Sequence, residues 1–425
     1  MQKILIVEDS PIVAKILLHL AKQELEFEII LAMSFAETRA KFEEHDGDFF
    51  AAIVDLNLPD APDGEVVDFT LEKKLPTIVL TGSFDEKRRE TLLAKGTVDY
   101  VTKEGRYSYL YALRLINRLH ANMAIKVLVV EDSTTTRNVI CNMLKRHLFK
   151  VVSAVDGIDA IKVFLANPDI KLLITDYNMP NMDGFELVKN IRCKYEKFDL
   201  IIIGLSAESE GSLSARFIKT GANDFLTKPF NPEEFYCRIN HNIESLELVE
   251  KIRDVSNRDY LTGLYSRRYF FQEGEILWQQ AKDSGGQLSL AVLNIDNFKQ
   301  VNDQHGNIFA DNILKKISDI LNKTLFRFLV ARSSGNEFFI LMQGLDDDKA
   351  AVLVDKIRVI ISREVFTFEN EEVLVTCSGG VAHSLTDRLI DQVAIAEDLV
   401  LSAKEAGKNI VFSEDIEAVN DHNAA

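Results

Sequence analysis

The sequence predicts an α/β protein: two tandem doubly wound parallel sheets, followed by a separate C-terminal domain. Three observations carry that prediction. The chain has 425 residues, enough for two to four domains that each bury a core. Three stretches of the first half also return later: KILIVEDSP at 3–11 as KVLVVEDST at 126–134, AAIVDLNLPDAPDG at 51–64 as LLITDYNMPNMDG at 172–184, and DYVTKEG at 99–105 as DFLTKPF at 224–230. The offsets nearly agree, so one fold of roughly 120 residues occurs twice. Finally, each copy alternates short Val/Ile/Leu runs with amphipathic stretches such as Ala14–Gln23 and Asn138–Arg146, the pattern of parallel strands linked by helices.

In such sheets ligands bind outside the carboxyl ends of the strands. Copy one places Glu8 and Asp9 after its first strand, Asp55 after the third, Thr81 after the fourth and Lys103 after the fifth. Copy two places Glu131 and Asp132, Asp176, Ser206 and Lys228 at the same points. Three carboxylates on one edge call for a cation, and hard oxygen ligands suit Mg²⁺. A lysine and a hydroxyl beside them would hold a phosphoryl group, and an aspartate so placed can be a nucleophile towards a phosphoryl donor. A lone acid at a strand end is usually a helix cap or a turn residue. Five matching positions in both copies argue against that reading.

This constellation resembles the receiver domain of two-component response regulators, over about residues 1–245. The resemblance implies Asp55 and Asp176 as phosphoacceptors and Mg²⁺ held by Asp9 and Asp132, supported by Glu8 and Glu131. It implies switch positions at Thr81 with Tyr100 and at Ser206 with Phe225, and phosphate-binding lysines at Lys103 and Lys228. Copy two has Met179-Pro180 and Lys228-Pro229, as the family usually does, whereas copy one has Leu58-Pro59 and Lys103-Glu104 with an acidic loop through Asp60 and Asp63. The domain limits are expected at 1–121 and 124–245.

A formal net charge of −17 argues against nucleic-acid binding and against docking on anionic membranes, both of which need basic surface. No apolar run approaches the ~18–20 residues of a membrane span, and MQKILIVEDS lacks the layout of a signal peptide. Cys141, Cys193, Cys237 and Cys377 show no metal or redox spacing. A cytoplasmic location is expected, without DNA binding or membrane insertion.

Residues 232–257 form the expected connector. Phe235, Ile239, Ile243, Leu246, Val249 and Ile252 recur every three to four residues, with a proline at the start only. The stripe fits either a coiled-coil seam between two protomers or a helix packed on its own domain.

Beyond it come RDYLTGLYSRRYF at 258–270, LAVLNIDNFKQVNDQHGNIFAD at 290–311, ARSSGNEFFI at 331–340, VTCSGGVA at 375–382 and AIAEDLVLSAKEAGKNIVF at 394–412. In order and spacing these resemble the GGDEF domain of diguanylate cyclases over 257–415, leaving a polar tail at 416–425. Two receivers followed by this domain resemble a PleD-type response regulator. The resemblance implies an α+β domain, a mixed sheet flanked by helices, with the GGDEF turn as a hairpin. In the family, two GTP molecules on two protomers join head to tail to give cyclic di-GMP.

The family's metal carboxylates correspond here to Asn294 and Asn336, both amides, while Asp296 and Glu337 keep the neighbouring acids. An amide brings no charge to a cation and does not titrate near neutrality. Losing two carboxylates at one ion weakens GTP/Mg²⁺ binding and predicts a rate loss of orders of magnitude. Asn302 and Asp311 match the guanine-reading pair, and Lys299, Lys404 and Lys408 match phosphate-contacting positions. Ser334 replaces the first turn glycine. Leu325 and Phe328 stand where the inhibitory RxxD needs Arg and Asp, so product binding there is not expected.

Two readings follow. One is a response regulator whose degenerate output domain makes no cyclic di-GMP and acts by protein contacts or guanine-nucleotide binding. The other is a phosphorylation-activated diguanylate cyclase. The paired amides favour the first. A third, a receptor for cyclic di-GMP, loses its support with the RxxD. The implied partners are a sensor histidine kinase or phosphotransfer protein, GTP, and a second copy joined through the receiver domains.

Overall fold

Both sequence copies fold as five-stranded parallel sheets with the central strand order of a doubly wound domain. The structure is a computed structural model describing residues 2–207, 211–368 and 371–414; the tail expected at 416–425 lies outside the described residues. It divides into two compact units, Met1–Glu247 and Leu248–Ala425.

In copy one the strands Lys3–Val7, Glu28–Ala32, Ala51–Asp55, Thr77–Thr81 and Asp99–Thr102 lie in spatial order second, first, third, fourth, fifth. In copy two Lys126–Val130, Lys150–Ala154, Ile170–Asp176, Ile201–Ser206 and Asp224–Thr227 repeat that order. The middle strands carry continuous apolar runs because helices cover both faces; Ile4 to Val7 and Leu172 to Ile174 are fully buried. Each sheet therefore has two apolar layers, one on each side. After the first strand the chain turns at once into a helix. Ser10 caps Pro11–Glu24 through its hydroxyl, and Ser133 caps Thr134–Arg146 likewise. Those caps keep Asp9 and Asp132 at the sheet edge.

The predicted connector stripe has two fates. Along the helix Pro232–Asn257, Phe235, Ile239, Ile243 and Leu246 are buried in the core of the second copy. That half packs on its own domain, whereas further along the stripe Val249 is half-buried and Ile252 exposed.

The second unit is built on a six-stranded mixed sheet. Its order is Tyr265–Ser266, Leu329–Ser334, Glu337–Gln343, Leu288–Ile295, Cys377–Ala382 and Val411–Ser413. The four central strands are antiparallel and both edge pairs are parallel. Helices Arg267–Ser284 and Leu389–Glu405 cover one face; Phe298–Thr324 and Asp347–Arg363 cover the other. Leu329–Ser334 and Glu337–Gln343 form the expected hairpin, and its turn needs Gly335, which sits at φ +53°.

Candidate functional site

The carboxyl ends of the first, third and fifth strands meet at one point in each copy. In copy one Lys103 Nζ donates to Glu8 Oε2 at 2.7 Å and to Asp55 Oδ2 at 2.6 Å. In copy two Lys228 Nζ donates to Glu131 Oε2 and to Asp176 Oδ1, both at 2.5 Å. The other oxygen of each aspartate accepts from a backbone amide, Asn57 N at 3.2 Å or Asn178 N at 3.0 Å. Gly184 permits the close return of the chain in copy two: a Cβ there would lie 2.3 Å from the Asp176 carbonyl oxygen.

Glu8, Asp9 and Asp55 bring one oxygen each within 4.8 Å of one another, as do Glu131, Asp132 and Asp176. Among the described residues these are the two groups of three or more side chains able to share a metal ion. Burial pushes the Glu8 and Glu131 carboxyls above the usual range, against the pull of the neighbouring lysines. Burial also opposes charge on Lys103 and Lys228, but their carboxylate pairs outweigh it and hold both ammonium groups above their ordinary range. Three converging oxygens, two of them on buried side chains, fit a hard divalent cation.

The predicted hydroxyls stand beside these clusters. Thr81 is buried; its hydroxyl donates to the Ser83 carbonyl at 3.1 Å, and the Tyr100 hydroxyl donates to the same oxygen at 3.1 Å. Ser206 is buried at the end of its strand, and Phe225 packs on Phe217 with ring centroids 5.5 Å apart. The backbone ties these positions to the lysines, because Lys103 N donates to Thr81 O and Lys228 N to Ser206 O, both at 2.7 Å.

The C-terminal domain brings Asn294 and Asn336 together from positions 42 residues apart. Asn336 Nδ2 donates to Asn294 Oδ1 at 2.7 Å and to the Ile295 carbonyl at 2.6 Å. Lys404 Nζ donates to the same Asn294 oxygen at 2.9 Å, and Asn294 Nδ2 faces Glu337 Oε1 at 3.4 Å. Asp296 is committed to structure: its carboxylate accepts from Ser378 Oγ at 2.8 Å, Thr376 Oγ1 at 2.8 Å and Asn409 N at 3.1 Å. Both of its oxygens are engaged, Oδ1 by Ser378 and Oδ2 by Thr376 and Asn409. Asn294 Oδ1 already accepts from an amide and an ammonium, so this arrangement does not fit a divalent cation.

Of the remaining positions, Lys408 Nζ donates to Asn297 Oδ1 at 2.7 Å and Lys299 is exposed. Asn302 and Asp311 are partly exposed on the helix Phe298–Thr324, on either side of a break at Gly306. Sequence reasoning missed Arg332. Its guanidinium donates twice to the Gly335 carbonyl, at 3.0 and 2.7 Å, and pairs with Asp259 at 3.1 Å, which fixes the hairpin turn. It also missed the residues between the two copies. Arg89 pairs with Glu86 and Glu233, Arg118 with Glu247, and Arg146 Nη1 donates to Leu93 O at 2.8 Å. A cavity of about 340 Å³ lies beside them, lined by Asp99, Tyr111, His147, Glu233 and Tyr236 among others.

Together, the repeated acidic edge and the mixed-sheet domain define a response regulator with two inputs and a nucleotide-cyclase-like output domain. The family described as response regulator receiver domain matches residues 4–113 and 127–240, and that described as diguanylate cyclase, GGDEF domain, matches 256–410. The chain belongs to the response regulator receiver family and carries a GGDEF domain after its two receivers. It is 24% identical to the response regulator PleD of Caulobacter vibrioides over 298 residues, covering 67% of this chain and 65% of PleD. It is 34% identical to YhcK of Bacillus subtilis over 182 residues, 41% of this chain and 51% of YhcK. The chain thus spans about half the length of YhcK and just under two thirds of PleD. A Campylobacter jejuni CheY homolog is 40% identical over 110 residues, 26% of this chain and 85% of that protein. A solved two-component response regulator/GGDEF domain protein matches with 42% identity and a TM-score of 0.54, covering 58% of this chain and all of that one. Among the described residues no helix is long and apolar enough to cross a membrane.

Proposed function

We propose that the chain is a cytoplasmic response regulator phosphorylated on Asp55 and Asp176, with a degenerate GGDEF domain that makes no cyclic di-GMP. It signals by protein contacts or by binding a guanine nucleotide. The observation that carries this reading is the pair Asn294 and Asn336, hydrogen-bonded to each other and capped by Lys404 where the GGDEF resemblance puts metal carboxylates.

In each receiver the carboxylates of Glu8, Asp9 and Asp55, or of Glu131, Asp132 and Asp176, would hold Mg²⁺, which when bound offsets charge on the phosphoryl oxygens. An oxygen of Asp55 or Asp176 attacks phosphorus; the new O–P bond forms as the donor's bond to phosphorus breaks, and the donor leaves with that electron pair. Lys103 or Lys228 then exchanges its aspartate contact for a phosphoryl oxygen. The Thr81 hydroxyl leaves the Ser83 carbonyl for another, and Tyr100 follows. The phosphoryl donor is a sensor histidine kinase or a phosphotransfer protein, and phosphorylation shifts a homodimer formed through the receivers.

The test is incubation of acetyl-phosphate-treated protein with GTP and Mg²⁺ or Mn²⁺, followed by assay for cyclic di-GMP. No product is expected. Robust turnover would establish the second reading, a phosphorylation-activated diguanylate cyclase, which draws on the match to the diguanylate cyclase family and on the retained Lys299, Asn302 and Asp311.

A further inference from the structure

The amide cluster of the C-terminal domain holds a cation of its own. Lys404 is half-buried near the end of the helix Leu389–Glu405, and its ammonium donates to Asn294 Oδ1 at 2.9 Å. The same oxygen accepts from Asn336 Nδ2, whose second hydrogen is spent on the Ile295 carbonyl. Exchanging the oxygen and nitrogen of Asn294 would set an N–H against two donors, and exchanging those of Asn336 would set an oxygen against two acceptors. The network therefore fixes both amides. Asn336 is held further by its backbone, since Ile295 N donates to Asn336 O at 3.0 Å. A divalent ion approaching Asn294 Oδ1 would meet the Lys404 ammonium on that oxygen, with no ionised carboxylate from either asparagine to compensate.

We propose that Lys404, oriented by Asn294 and Asn336, replaces the metal ion: the C-terminal domain binds the polyphosphate of a guanine nucleotide without a divalent cation. This rests on the nucleotide-binding branch of the proposed function. An ammonium has three donors, and the contact to Asn294 uses one, so the others can reach phosphate oxygens. Lys408 adds a second cation; its Nζ contacts Asn297 Oδ1 at 2.7 Å in the turn that opens the helix Phe298–Thr324. Asp296, drawn into bonds with Ser378, Thr376 and Asn409, presents no unengaged carboxylate that would repel the phosphates. The fixed ammonium thus holds phosphates, but it cannot bind the attacking 3′-hydroxyl and phosphate together as a divalent ion can.

The test is calorimetric titration of the full chain with GTP, once in EDTA and once in excess Mg²⁺. The dissociation constants are expected to agree within about threefold, or to be tighter in EDTA. Lys404→Ala should weaken binding tenfold or more in both buffers, and Lys404→Arg should recover most of that loss. The double variant Asn294→Asp, Asn336→Asp should invert the pattern, binding at least tenfold more tightly with Mg²⁺ than in EDTA. Circular dichroism of each variant confirms that it folds. Tenfold weaker binding of the unmodified chain in EDTA overturns the proposal and leaves the non-cyclase reading intact. Binding in neither buffer overturns the proposal and the nucleotide-binding branch together, leaving protein contacts. Cyclic di-GMP in the Mg²⁺ arm overturns the non-cyclase reading itself.

Discussion

Arg118 of the first receiver and Glu247 of the second form a two-pronged ion pair, with Nη1 and Nη2 2.9 and 2.8 Å from the two carboxylate oxygens. The Arg118 side chain is 10% exposed, and its Nε donates to Asn122 Oδ1 at 2.8 Å. Asn122 in turn donates to the His147 carbonyl at 3.0 Å. A planar guanidinium thus joins the last helix of one receiver to the last helix of the next.

Removing that side chain should loosen the receiver pair. Arg118→Ala is expected to cost about 1–3 kcal/mol, with Glu247 left partly desolvated and unpaired. Arg118→Lys should recover only part, because one ammonium cannot make both bonds. Faster hydrogen exchange along Arg106–Asn122 in the full chain is the readout. Unchanged exchange would show that the pair is ornamental.

Phosphorylation should depend on both strand-end aspartates. Asp55→Asn and Asp176→Asn are each expected to leave the other receiver labelled by a small-molecule phosphoryl donor, and the double variant should take up no label. Label persisting in the double variant would place the acceptor elsewhere.

His147 should make the receiver pair acid-sensitive. It is buried, stacks on Tyr236 with centroids 3.5 Å apart, and burial pulls its pKa from 6.5 down to about 3. The unfolded chain therefore binds a proton that the folded one excludes. The neutral form's contribution is fully present above pH 6.5 and is lost as the pH falls from there towards 3. At pH 5 the loss is about 2 kcal/mol, at ~1.4 kcal/mol per unit. His147→Phe should flatten the stability curve between pH 7 and 5. An equally steep curve in the variant would assign the acid sensitivity to other groups.

Restoring the carboxylates should make the C-terminal domain itself respond to metal. In Asn294→Asp, Asn336→Asp the new carboxylate at 336 faces the Ile295 carbonyl that the amide now serves. The variant should be destabilised by about 1–3 kcal/mol in EDTA and regain stability with Mg²⁺. Trp278, the single tryptophan, is buried in this domain, so its fluorescence during denaturation reports this unit alone. Mg²⁺ should leave the unmodified domain's transition in place. A metal-induced shift there would show that the amides still hold the ion.

The receiver edges were legible because every contributing residue follows a strand, and strand order fixes which ends meet. Asp55 and Lys103 could be paired from the repeat alone. The amides at 294 and 336 were legible only through register against a known family. Their closure by Lys404 was not, because that contact joins positions 110 residues apart. Arg89, Arg118 and His147 gave no signal for a different reason. In sequence they look like ordinary helix-surface residues, and their burial depends on a neighbouring receiver that no local periodicity describes.

The contacts of Arg89 and Arg118 place the second receiver's final helix against the Glu86–Lys95 and Arg106–Asn122 side of the first. That side can therefore engage another molecule only by first giving up its neighbour. Whatever seeks that face competes with two ion pairs held within one chain, Arg89 with Glu233 and Arg118 with Glu247, which are always at hand however dilute the protein.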